Sequence, residues 1–102
     1  MTLEEEFHNA MLGVYEKAKL ECNYNATRFL QMVNEMGGLD AAKRLLVDHQ
    51  WWTSGLAKLW ELERLDISME NLVIQEKWSP LFTEEEVREA TERLIALEFI
   101  HQ

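Results

Sequence analysis

Phe82-Thr83-Glu84-Glu85-Glu86-Val87-Arg88-Glu89-Ala90-Thr91-Glu92-Arg93-Leu94 carries the plainest structural signal in this chain. Thr83 and Glu86 have the spacing of a capping box, in which each side chain satisfies the other residue's backbone amide. Phe82 and Val87 have the spacing of a hydrophobic staple, and three successive glutamates set negative charge on the positive end of the helix dipole. Ala90, Leu94 and Leu97 continue an apolar stripe at helical period, which predicts an amphipathic helix over about 84–97.

The same reasoning carries upstream. Pro80 lacks an amide hydrogen and disfavours helical geometry at Ser79, so Trp78 to Phe82 is expected as a connector. Ser68 is the expected N-cap of a helix over about 69–76, with Ile67 and Leu72 at staple spacing. Ser54 caps a segment over about 54–62 that bears Leu56, Leu59 and Trp60 on one side; beyond Leu62, helical rotation would carry Glu63 into that side. A short helix is expected over about 39–47. Before it, Asn25 caps a helix over about 25–36 with Phe29, Leu30, Val33 and Met36 on its apolar face, ended by Gly37 and Gly38. Thr2 and Glu5 repeat the capping-box spacing ahead of Leu3, Phe7, Ala10, Met11, Val14 and Ala18, which predicts a first helix over about 2–22. No segment shows sustained period-two alternation, so no sheet is expected. The fold class is therefore all-α: a compact bundle of about six mostly short helices in one domain spanning 1–102.

Composition agrees with one modest core. The chain is 47% hydrophobic and 28% charged, without an apolar run near membrane-spanning length. Surface scaling gives a folded area of roughly 6,000 Å² at this mass. The lone cysteine, Cys22, excludes an intrachain disulfide, and the glutamate-bearing start does not resemble a secretory signal, so a cytoplasmic location is expected. Nineteen acidic residues against ten basic ones give a net charge of -9, which opposes phosphate backbones unless the cations cluster. The two ends of the chain make this acidity: residues 1–22 hold five carboxylates, and residues 81–102 hold six.

Gly37-Gly38-Leu39-Asp40-Ala41-Ala42-Lys43-Arg44-Leu45-Leu46, Ser54-Gly55-Leu56-Ala57-Lys58-Leu59-Trp60-Glu61-Leu62, Arg64-Leu65-Asp66-Ile67-Ser68-Met69-Glu70 and Leu81-Phe82-Thr83-Glu84-Glu85-Glu86 together resemble a small bacterial all-helical module of unknown function. The likeness spans about 37–102 and leaves 1–36 unmatched. It implies the helical fold and a setting among uncharacterised bacterial proteins, some of which accompany nucleases or restriction systems; it implies no activity. Glu63 stands where the pattern has glycine, which sets a side chain against a left-handed helix cap there.

Chemistry finds little foothold. Glu5 with His8 and Glu98 with His101 have the Glu-x-x-His spacing of carboxylate-bridged metal bundles, yet such sites need carboxylates from two more long helices. His49 has no ligand partner at metal spacing and reads as a surface residue. Cys22 has no nearby histidine, no serine sits in a nucleophile elbow, and Gly13, Gly37, Gly38 and Gly55 form no phosphate loop. No enzyme activity, metal or cofactor is expected. The helices between Leu39 and Gln75 invite a helix-turn-helix comparison, but they offer Lys58 and little else to a nucleic acid; clustering of Arg28, Lys43, Arg44 and Lys58 in space would be needed.

Four tryptophans are many for 102 residues. Trp51, Trp52 and Trp78 fall in predicted connectors, where indoles either seal a core or anchor an interface. Leu12 and Leu20 fall off the main apolar face of the first helix. These five are the candidate partner-binding residues of a non-catalytic protein-interaction or oligomerisation module. The alternative is an acidic, DNA-imitating inhibitor that uses the carboxylates of both chain ends to hold a basic nuclease or regulator. A helix-turn-helix-like nucleic-acid binder is the second alternative.

Overall fold

The computed structural model describes residues 1–48 and 55–100. Among them are six α-helices and no strand: α1 (Leu3–Cys22), α2 (Thr27–Met36), α3 (Gly38–Leu46), α4 (Gly55–Glu61), α5 (Met69–Val73) and α6 (Glu84–Ala96). Two 3-10 turns, Leu65–Ile67 and Glu76–Leu81, flank α5. The all-α bundle expected from the periodicity is the observed architecture, with an accessible surface of 6488 Å². No helix among the described residues is long and apolar enough to cross a membrane.

Both capping boxes form. Thr2 Oγ1 accepts from the Glu5 amide at 3.1 Å while Glu5 accepts from the Thr2 amide at 2.9 Å; at α6 the corresponding distances are 3.1 and 2.8 Å. Ser68 Oγ accepts from the Asn71 amide at 3.1 Å and starts α5. Asn25 does not cap α2, which begins after Ala26 without a side-chain cap; its carbonyl oxygen instead accepts a hydrogen bond from the Tyr15 hydroxyl. The helix expected over 69–76 stops at Val73, and the expected connector through Pro80 is itself a 3-10 turn. A 3-10 turn uses i to i+3 bonds, so Pro80 removes less from it than from an α-helix. The predicted Ser54 cap of α4 lies outside the described residues.

The glycine pair divides its labour. Gly37 has φ of 87°, which only glycine adopts readily, and turns the chain between α2 and α3. Gly38 is needed for packing: a Cβ there would lie 2.6 Å from the His8 Cα, so α1 and α3 meet backbone to backbone. Around that crossing, Phe7, Met11, Val33, Ala41 and Val73 are fully buried and form the heart of a first core cluster. A second, smaller cluster of Ala18, Leu56, Leu59, Leu65, Ile67 and Leu94 lies toward the ends of α1 and α6. Fully burying each large apolar side chain contributes about 1.5–3 kcal/mol.

Three helical segments end in left-handed residues without glycine: Asn23 (φ 53°), Glu63 (φ 59°) and Glu98 (φ 61°). Each is followed by an amide that reaches back six residues in the Schellman manner: Tyr24 to the Ala18 carbonyl at 3.0 Å, Arg64 to Leu59 at 2.8 Å and Phe99 to Leu94 at 2.9 Å. The glutamate at position 63 thus does not prevent the left-handed cap. Its side chain costs on the order of 1 kcal/mol there, and the chain beyond is held by Arg64, which bonds Glu21 at 2.7 Å and Asp66 at 3.1 Å.

Candidate functional site

The two acidic ends of the sequence meet at one pole of the molecule. Phe7, in the second turn of α1, packs edge-on against Phe82 at 5.2 Å and against Trp78 at 5.3 Å between ring centroids. Phe82 immediately precedes the α6 cap, so the aromatic trio joins Glu4, Glu5 and Glu6 on one side to Glu84, Glu85 and Glu86 on the other. Two lysines brace it. Lys77 lies over the Trp78 ring and pairs with Glu6 at 3.3 Å, while Lys43 lies over Phe82 and pairs with Glu86 at 2.7 Å.

Clefts flank the start of α6. The larger, about 620 Å³, runs between the end of α3 and the first two turns of α6, with Asp48, Glu85, Glu86 and Glu89 beside Leu46 and Val47. Val47 is 65% exposed, a large apolar side chain presented on an acidic wall. The smaller, about 390 Å³, is lined by Ser79, Phe82, Thr83, Glu84, Val87 and Arg88. Burial raises the Glu86 carboxyl, but the hydrogen bonds from Lys43 and from the Thr83 amide outweigh it and hold the group below the usual carboxylate range.

Beneath the larger cleft lies a buried ion pair that sequence reading missed. Arg93 is 2% exposed and Glu70 5%. The guanidinium donates to Glu70 at 3.1 Å and to Glu89 at 2.7 Å, and also to the Leu46 and Asp48 carbonyls at 3.0 and 3.2 Å. It thereby satisfies carbonyls at the negative end of α3, where a cation belongs. Burial pushes the Glu70 carboxyl above its ordinary range, opposed by the Arg93 charge. The signal in the sequence was an arginine set into the apolar stripe of Ala90, Leu94 and Leu97; the partner, Glu70, had none.

Of the five candidate contact residues, Trp51 and Trp52 lie outside the described residues. Trp78 is corrected to a core residue: it is 4% exposed against Phe7, and its indole N–H has no hydrogen-bond partner. Leu12 is half-buried and packs on the first core cluster. Leu20 is 81% exposed on the outer side of α1. The first Glu-x-x-His pair is divided, because Glu5 bonds Thr2 whereas His8 bonds the Gly38 amide. Glu98 lies past the end of α6, and His49 and His101 fall outside the described residues. No group of three potential metal ligands occurs among the described residues. Lys43 is engaged with Glu86, while Arg28, Arg44 and Lys58 stand exposed on three different helices.

The chain matches no protein-family model, no curated protein and no solved structure. Function has to be argued from the pole itself.

Proposed function

We propose that this chain is a non-catalytic protein-interaction module that presents its acidic pole to a cationic segment of a protein partner. The observation that carries the reading is the convergence of the two glutamate-rich helix starts around Phe7, Trp78 and Phe82, next to an acidic cleft that exposes Val47. A segment with lysine or arginine at the rim and an apolar side chain on Val47 complements this surface, with charge setting encounter rate and partner choice. The carboxylates gather at two short helix starts on a body of 34 × 31 × 22 Å. They do not form an extended double row, so this reading keeps the basic partner and leaves out imitation of a DNA phosphate array.

Affinity capture at low and high salt, with wild-type chain and a Glu84→Lys/Glu85→Lys variant as bait, tests the proposal. A basic protein retained by wild type, and lost with salt or with the variant, is the expected result. Retention of the same partner by the charge-reversed bait sinks it.

Leu20 favours a second reading, self-association, because nothing in the chain covers it and Trp60 and Phe99 are also exposed near the second core cluster. Sedimentation at high micromolar concentration separates the two. A dimer that Leu20→Ser dissociates, with helicity intact, supports self-association; a monomer at all concentrations removes it.

A further inference from the structure

We infer that His8 is a proton-sensitive latch between α1 and α3. Its Nδ1 accepts a hydrogen bond from the Gly38 amide at 2.9 Å, in a partly buried position. Gly38 opens α3, so its amide is one of the helix's orphan donors, and Asp40 is the only acidic residue in that first turn. The bond requires a neutral imidazole with its proton on Nε2. A protonated ring turns Nδ1 into a donor aimed at a donor and brings positive charge to the positive end of the α3 dipole. Neither partner can draw back cheaply, because the Gly38 backbone lies against the His8 Cα. The latch therefore sits on the helix crossing that organises the first core cluster, one residue from Phe7 and three from Met11.

The charged groups on the surrounding elements do not cancel this effect. On α1 itself are Glu4 and Glu5, the latter tied to Thr2. Glu35 lies near the end of α2, Asp40 and Lys43 are on α3, and Glu76 and Lys77 are on the 3-10 turn packed against α1. Glu70 on α5 is committed to Arg93. Among the described residues none of the carboxylates forms an ion pair with the imidazole, so no adjacent anion holds the cationic form in place. The neutral form alone makes the contact. Its stabilisation is present at and above neutral pH and is lost as pH falls through the histidine range.

Asparagine places a carbonyl oxygen close to the position of Nδ1 and does not titrate, so His8→Asn keeps the acceptor and removes the switch. Urea unfolding of both proteins at pH 7.5 and 5.5 isolates the contribution of His8 from that of the carboxylates and the other histidines. Between these values the folding equilibrium constant of wild type is expected to fall roughly fivefold more than that of the variant. Equal falls overturn the proposal. Should His8→Asn not fold, the nitrogen resonances of the wild-type imidazole decide: an Nε2–H tautomer at pH 7.5, with the Gly38 amide shifting as the ring protonates, supports the latch. An Nδ1–H tautomer, or a Gly38 amide indifferent to that titration, overturns it.

Discussion

The pole where α1 and α6 begin and the opposite pole, where α1, α4 and α6 end, are built by different rules. At the first, two capping boxes satisfy orphan amides with side chains three residues away. At the second, Asn23, Glu63 and Glu98 take left-handed turns that their side chains oppose. A helix start is thus an almost private matter of the segment. A helix end here depends on what the next residues find: Arg64 reaches Glu21 and Asp66, and Leu97 and Ile100 pack on the second core cluster. The 20 residues of α1 separate the poles by about 30 Å, and the buried Arg93 pair lies between.

The comparison breaks most severely at its middle. Arg93→Met leaves Glu70 buried without its counter-charge and is expected to cost about 3–5 kcal/mol at neutral pH, read by urea denaturation. The sign of its pH dependence is diagnostic. Glu70 already has a raised carboxyl pKa, and losing Arg93 raises it further. The folded state of the variant then gains protons relative to the unfolded one, so its deficit shrinks as pH falls. A deficit independent of pH would mean that Glu70 does not ionise in the core.

Phe7→Ala removes the side chain that joins the two acidic starts. A loss of about 3–5 kcal/mol is expected, along with weaker partner capture even where the remaining protein is folded. Unchanged stability would show that the aromatic trio is not the joint of the acidic pole.

The two capping boxes themselves make a smaller contrast. Glu86→Gln, which weakens both the cap and the half-buried contact with Lys43, is expected to lose about 1 kcal/mol, and the exposed Glu5→Gln measurably less. Since the Glu86 pKa is depressed, its contribution is present above the ordinary carboxylate range and disappears as pH falls through the lowered value. Lys43→Met should flatten that part of the acid unfolding curve.

At the opposite pole the expected effects are favourable. Glu63→Gly and Glu98→Gly each relieve a left-handed side chain and should raise stability by about 1 kcal/mol. A loss in either would mean that the glutamate side chain contributes more than its backbone strain costs. Leu20→Ser should change monomer stability by less than about 0.5 kcal/mol, whereas Leu12→Ser destabilises; equal effects would put both residues on the same side of α1.

Much of the acidic pole was legible. Thr2, Glu5, Thr83 and Glu86 announced their helices because capping uses partners within four residues, and periodicity located Phe7, Met11, Ala90 and Leu94 on buried faces. Asn25 was misread as a cap because its competing partner, the Tyr15 hydroxyl, belongs to another helix. The end of α4 was anticipated near Leu62, but the turn at Glu63 ran against residue preference, since distant anchors hold it. Trp78 could not be assigned between core and interface by its place in a connector; its burial depends on Phe7, 71 positions away.

Local chemistry in the sequence by itself determined the helical class, the absence of period-two strands and the starts of α1, α5 and α6, because those signals act within a turn or two. Only the tertiary structure decided that the two glutamate-rich starts share one pole, that Arg93 finds Glu70, and that Gly38 and His8 touch. Each of these joins groups more than 20 residues apart, and such contacts are set by the packing of whole helices rather than by any preference of the residues that make them.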